Sequence, residues 1–184
     1  MDYLFKNSSV SVRKMRDSIC DYVFLTEWLS APGIQSYNSD EADAVELDKV
    51  IKQYNPRIKE EDGEYAFIIE YDGIAVGYMQ YYDITDELKS ALKDNSEEAM
   101  DKTMAIDILI GKSEYQNMGI GTETITGMAE YMLNNGIADM IVAGPSEDNL
   151  RAIRCFEKSG FSKLRTATIT KDGRSKVTMI VKKK

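Results

Sequence analysis

Met104–Leu133, MAIDILIGKSEYQNMGIGTETITGMAEYML, is the stretch from which the rest can be read outward. Met104 to Ile110 is an apolar run of strand length, interrupted once by Asp107. From Gly121 to Leu133, residues Ile125, Met128, Ala129 and Met132 recur at the spacing of one helical face. Between strand and helix lies Gln116-Asn117-Met118-Gly119-Ile120-Gly121-Thr122. Glycines let a backbone curl closely around a ligand, and the first turn of a helix offers unpaired N–H groups at the positive end of its dipole. Together these grip a pyrophosphate without side-chain charge. No Gly-Lys-Ser/Thr follows, so this is not a nucleotide P-loop. Thr124 stands where the dinucleotide fingerprint needs its third glycine. Taken alone, the stretch is equally well a Gly-rich turn that starts a helix.

Downstream, Met140 to Ala143 reads as a buried strand. Asn149 can cap a helix that Gly160 terminates, and Lys163 to Lys182 holds two strands around Lys171-Asp172-Gly173. Upstream, Tyr65 to Tyr71 and Ile74 to Tyr82 form a hairpin closed by Asp72-Gly73. Residues 83 to 101 carry seven acids against two lysines, a polar insertion between strands. Ser9 to Met15 alternates as a short strand. Asp17 reads as the N-cap of a helix through Glu27, Trp28 and Leu29 that Pro32-Gly33 ends, and a second, acidic helix is expected over Glu41 to Gln53. Helices and strands interleave around a mixed sheet, an α/β (α+β) domain. Without repeats or a linker, residues 1–184 are expected to be a single domain.

The 184 residues hold 31 Asp and Glu against 23 Lys and Arg and are 43% hydrophobic, enough apolar material for a core. No stretch approaches the ~18–20 uncharged apolar residues of a membrane span, and MDYLFKNSSV is too short and polar for a signal peptide. Only Cys20 and Cys155 are present, too few for a disulfide framework, which suits a cytoplasmic protein. With no histidine, Ser-His-Asp and Cys-His catalysis and every His-containing zinc site are excluded, and two cysteines cannot make a Cys₄ site, so no metal is expected. Charge is partitioned: residues 1–150 hold 29 acids against 12 bases, a balance of −17, and 151–184 hold two against 11, a balance of +9. An acidic body argues against duplex nucleic acid and for a cationic small partner, while the basic end could serve a phosphate.

Gln116-x-x-Gly119-x-Gly121, followed by Asn149-Leu-Arg-Ala-Ile-Arg-Cys-Phe156-Glu-Lys-Ser-Gly160-Phe161, resembles the GCN5-related N-acetyltransferase superfamily. EWL (Glu27–Leu29), GYMQYY (Gly77–Tyr82), AIDILIG (Ala105–Gly111) and PSEDNLRAIRCFEKSGF extend the resemblance over nearly the whole chain, to aminoglycoside 6'-N-acetyltransferases in particular. The resemblance implies a mixed, mostly antiparallel sheet with flanking helices, whose fourth and fifth strands, here Met104–Ile110 and Met140–Ala143, splay to admit acetyl-CoA as co-substrate. It puts pantetheine along the backbone of Ile108, Leu109 and Ile110. The pyrophosphate would rest on Gln116, Asn117, Met118, Gly119, Ile120, Gly121 and Thr122, and Asn149 would lie beside the cofactor arm.

The resemblance also puts Asp107 where the general base is proposed. In an apolar strand a buried carboxylate is expected to become a better proton acceptor, although a strand-end Asp bonded to neighbouring amides would look the same in sequence. Two positions depart from the family pattern: Phe156 replaces the usual tyrosine acid, and Gly144 replaces an aspartate of close relatives. For the acceptor, Trp28, Tyr37, Gln80 and Tyr82 match positions lining the aminosugar site, and Glu97, Glu98 and Asp101 lie in the loop that overhangs it. Core packing is the commoner fate of such aromatics, and a solvated loop is the alternative for the acids. The implied function is acetyl transfer to the 6'-amine of an aminoglycoside, with resistance as its result, in a monomer or homodimer. The alternatives are acetylation of another small amine or a protein amine, or a non-catalytic CoA-binding member.

Overall fold

A computed structural model describes residues 3–31, 45–61, 63–93, 102–169 and 175–183. Eight strands are hydrogen-bonded in the order β1-β2-β3-β4-β5-β6-β8-β7: β1 Tyr3–Lys6, β2 Val10–Lys14, β3 Glu64–Tyr71, β4 Ile74–Asp83, β5 Thr103–Ile110, β6 Met140–Ala143, β7 Ser162–Ile169 and β8 Ser175–Lys182. Five α-helices stand among the described residues: α1 Ile19–Leu29, α2 Leu47–Ile58, α3 Asp86–Lys93, α4 Ile120–Asn134 and α5 Leu150–Lys158. β1 was not legible in the sequence, so the fourth and fifth strands of the family pattern are β5 and β6 here. The chain divides into two compact units, residues 1–80 with 108–124, and 81–107 with 125–184, the divisions falling within β4, β5 and α4.

In the first unit, the hairpin of β3 and β4 turns on Asp72 and Gly73, both at positive φ (49° and 79°), as a two-residue hairpin turn requires. β2 pairs antiparallel with β1 and β3. Helix α1 is capped by Ser18, not by Asp17, whose carboxylate instead accepts from the Tyr22 hydroxyl. α2 ends at Ile58, later than the expected Gln53, with Pro56 in its last turn, and the expected start at Glu41 lies outside the described residues. Its Leu47, Val50, Ile51, Tyr54 and Ile58 fall at helical spacing and pack with Met15, Tyr22, Leu25, Trp28, Ile68 and Tyr78. Within this unit the Arg13 guanidinium donates to both oxygens of Asp21 (2.7 and 2.9 Å) and to Glu70 (2.7 Å), whose other oxygen accepts from Tyr3. All three charged groups are buried, which is tolerable only because each is paired. The network ties α1 to β1, β2 and β3.

In the second unit, β5 and β6 run parallel, Thr103 to Ala105 pairing with Met140 to Val142, and β6 then pairs antiparallel with β8, which pairs with β7. The expected polar insertion opens instead with α3: Leu92 is buried and packs with Ile84, Ala105, Met140, Val142 and Ile180. Residues 94–101, like 32–44 and 170–174, lie outside the described residues. Among the described residues no helix is long and apolar enough to cross a membrane.

Candidate active site

The parallel ladder between β5 and β6 stops at Ala105 and Val142, whereas β5 continues for five more residues to Ile110. A strand that outruns its neighbour offers backbone amides and carbonyls to whatever lies alongside, the arrangement expected of a strand that pairs with pantetheine. Ile108, Leu109 and Ile110 are half-buried. β4 closes against their other side: a Cβ added at Gly77 would lie 2.3 Å from the Leu109 carbonyl oxygen and 3.2 Å from Ile110 Cα. Beyond Ile110 the chain is fixed by Gly111 and Lys112, whose N–H groups donate to the Val76 carbonyl at 2.9 and 3.3 Å.

The glycine loop follows a single 3₁₀ turn, Ser113–Tyr115. Asn117 and Gly119 take the left-handed conformation (φ 62° and 84°), and the space where a Cβ of Gly119 would stand is open for at least 4 Å. Asn117, Met118 and Gly119 are exposed, and α4 starts at Ile120 with the Glu123 N–H donating to the Gly119 carbonyl. The amides of Met118 to Thr122 stand in the loop and first turn that lead into α4, and the open face at Gly119 leaves backbone accessible there. Gln116 braces the loop: its Nε2 donates to the Ile110 carbonyl at 3.0 Å, coupling the loop to the end of β5.

Trp28 also belongs to this unit, but in the core. It is 3% exposed, stacks on Phe24 at 5.9 Å and fills the space above Gly111, where a Cβ would come within 1.9 Å of its Cγ. Trp28 thus packs in the core of this unit, the alternative that its sequence position also allows. Gln80 is half-buried, its side-chain oxygen accepting from Arg57 (2.7 Å) and from the Tyr78 hydroxyl (2.9 Å). Arg57 had no signal in sequence, because its contacts join a helix to a strand more than twenty residues away. Tyr37, Glu97, Glu98 and Asp101 lie outside the described residues.

The second unit holds Asp107, Tyr82 and Asn149. Asp107 is exposed, so the expected burial of its carboxylate is corrected: it follows the last β5 residues that pair with β6, where the strand is no longer covered. Tyr82 is half-buried and packs at the edge of the cluster around Ile84 and Ala105. Asn149 caps α5 as expected, its side-chain oxygen accepting from the Ala152 N–H at 3.1 Å. Phe156 is buried edge-on against Phe161 at 5.1 Å, and Cys155 is half-buried and forms no disulfide. At Gly144 an added Cβ would meet only the Lys176 chain at 3.7 Å, so a side chain is missing there for no steric reason. No group of three or more Cys, Asp or Glu among the described residues could hold a metal ion.

The family model for the acetyltransferase (GNAT) domain matches residues 19–169. The aminoglycoside N(6')-acetyltransferase type 1 of Klebsiella pneumoniae is 32% identical over 167 residues, covering 91% of this chain and 80% of that protein. Two solved structures of AAC(6')-Ib superpose closely. The complex with parmomycin and acetyl-CoA has a TM-score of 0.75 at 29% identity, covering 95% of this chain and 94% of that one. The complex with coenzyme A and kanamycin has a TM-score of 0.74 at 30% identity, covering 95% of each chain. With the overrunning strand, the glycine loop and the mixed sheet order in place, this chain belongs to the GNAT acetyltransferase family.

Proposed function

We propose that the protein transfers the acetyl group of acetyl-CoA to the 6'-amine of an aminoglycoside in the cytoplasm and so confers resistance. What carries this reading is the extent of the likeness to the Klebsiella enzyme: it spans 91% of the chain, including the half that precedes the glycine loop. A chain that shared only the capacity to hold CoA would need to agree only from β5 onward.

Acetyl-CoA supplies a thioester as acyl donor. The amides of Met118 to Thr122 hold its pyrophosphate and the backbone of Ile108 to Ile110 its pantetheine arm, with Asn149 beside it. The acceptor amine reaches neutral pH as an ammonium and must lose a proton before it can attack. Asp107 is the proposed acceptor of that proton, its exposure leaving it accessible to a solvated cation. An amide of β5 beyond the last β6 pair stabilises the oxyanion that develops on the thioester carbonyl. Phe156 has no hydroxyl and is packed against Phe161, so the departing thiolate takes its proton from the product ammonium or from water. Gln80 and Tyr82, with the acids Glu97, Glu98 and Asp101, serve the acceptor, and the −17 balance of residues 1–150 draws a polycation toward the protein.

Steady-state assays with acetyl-CoA and a panel of amines test the reading. Kanamycin-type compounds should be acetylated at the 6'-amine, with an acceptor KM that rises with ionic strength more than that of acetyl-CoA, since attraction decays over ~10 Å at 0.1 M salt. Polyamines that outperform every aminoglycoside, or 6'-hydroxyl compounds acetylated as fast as their amino counterparts, would overturn the acceptor assignment.

A further inference from the structure

Gln116 stands between the two parts of the chain assigned to the cofactor, and its side chain joins them. Its Nε2 donates to the Ile110 carbonyl, six residues back, at 3.0 Å. The N–H that follows that carbonyl, Gly111, donates to the Val76 carbonyl of β4 at 2.9 Å. In a planar trans peptide the C=O and N–H point in opposite directions, so the Ile110 carbonyl points away from β4. The peptide between Ile110 and Gly111 is thus held from both sides, by β4 on one and by the Gln116 amide on the other.

The loop keeps its own shape by other means. The Tyr115 N–H donates to the Lys112 carbonyl and the Gln116 N–H to that of Ser113, each at 3.1 Å, and the Tyr115 ring meets Tyr71 of β3 edge-on at 5.9 Å. Past Gln116, Asn117 and Gly119 turn through positive φ, and the Glu123 N–H closes the first turn of α4 on the Gly119 carbonyl at 3.0 Å. These are backbone bonds and ring contacts that do not involve the Gln116 side chain. What that side chain adds is the position of the loop against the end of β5. Two half-sites that each take one end of a molecule gain from being joined only as far as their spacing is fixed, because slack between them must be lost on binding.

We propose that Gln116 is a positioning residue that couples the two ends of the cofactor: by tying the glycine loop to the Ile110 carbonyl, it sets the spacing between the amides that take the pyrophosphate and the strand that takes pantetheine. Its contribution comes through that spacing and not through a phosphate contact of its own. The inference rests on the acetyl-CoA reading above.

The test compares wild type and Gln116→Met in their affinity for CoA and for its two halves, 3'-phospho-ADP and pantetheine, by calorimetry and, for the weakest ligand, by nuclear magnetic resonance titration. Methionine is close to glutamine in length and has no N–H to donate. The variant should bind CoA about fivefold more weakly, the worth of one hydrogen bond, while each half binds within about twofold of wild type, since the loss arises only when one molecule spans both half-sites. Should Gln116→Met fail to fold, Gln116→Asn, whose amide is one methylene short of the Ile110 carbonyl, decides alone. Unchanged CoA affinity would overturn the proposal. So would 3'-phospho-ADP weakened as much as CoA, the mark of a direct phosphate ligand, or pantetheine weakened as much as CoA, the mark of a damaged strand. A wild type that does not bind CoA would instead overturn the acetyl-CoA reading, and this inference with it.

Discussion

Replacing Gly111 with alanine puts a methyl group where the Trp28 ring already is. The added carbon would lie 1.9 Å from Cγ, 2.3 Å from Cδ1 and 2.5 Å from Cβ of Trp28. Real contacts of this kind essentially never fall under 3.0 Å, so the nearest must open by about 1.1 Å, the difference between 3.0 and 1.9. Trp28 cannot simply swing away, because it is buried, stacked on Phe24 and surrounded by the cluster of Leu25, Tyr54 and Tyr78. Either the core or the end of β5 must move. Overpacking costs ~1–3 kcal/mol, and a displacement of ~1 Å at a strand that positions a reactant costs on the order of 10²-fold in rate. Urea unfolding should therefore show Gly111→Ala destabilised by about 1–3 kcal/mol. Calorimetry should show weakened acetyl-CoA binding, since Ile110 and the Gln116 brace adjoin the strained residue. Trp28→Leu alone leaves a cavity, but combined with Gly111→Ala it returns the missing space, so the two changes should couple favourably by at least ~1 kcal/mol. Equal stability and unchanged acetyl-CoA affinity in Gly111→Ala, or strict additivity in the double variant, would refute the reasoning.

Asp107→Asn removes the proposed proton acceptor at nearly constant size and should lower turnover ~10²–10⁴-fold while acetyl-CoA still binds; a loss of only a few-fold, with the acid limb of the pH profile intact, would point to another base. Gly121→Asp should abolish acetyl-CoA binding in a folded protein, as measured by calorimetry, because a carboxylate would stand among the amides proposed to hold the pyrophosphate. Alkaline stability should be limited by buried phenols. Burial raises the Tyr78 hydroxyl above its ordinary value of 10.0, so the unfolded chain loses this proton first. The contribution is complete below pH 10 and is lost as pH rises beyond it toward the folded value. Thermal unfolding midpoints should thus hold between about pH 7 and 9 and fall above 10, and Tyr78→Phe should shallow that fall; an identical slope in the variant would count against this origin.

Much of the fold lies in local pattern. The Asp72-Gly73 turn between two β-rich runs, the helical spacing of Ile125, Met128, Ala129 and Met132, and the Asn149 cap are all set by residues within a few positions of one another, where backbone preferences and periodicity act directly. The glycine loop is legible for the same reason: only glycine adopts φ near +84° without penalty and leaves open backbone at Gly119. Helix boundaries were less legible. A capping Ser18 and an Asp17 one residue before it are chemically equivalent until one of them finds Tyr22 instead. The short strand β1 has too few residues for periodicity to mark it, and α3 was hidden because its charged residues outweigh the apolar face that packs through Leu92.

The sequence by itself determined most of the order of elements, the glycine loop between strand and helix, and the family, because each depends on short-range spacing. Tertiary structure alone decided what the side chains do. It buries Trp28 against Gly111, exposes Asp107 beyond the end of the β6 ladder, joins Arg13 to Asp21 and Glu70, and turns the Gln80 oxygen toward Arg57. Each of these depends on which distant surfaces meet, and burial, charge pairing and amide orientation are properties of that meeting and not of any residue or its neighbours in the chain.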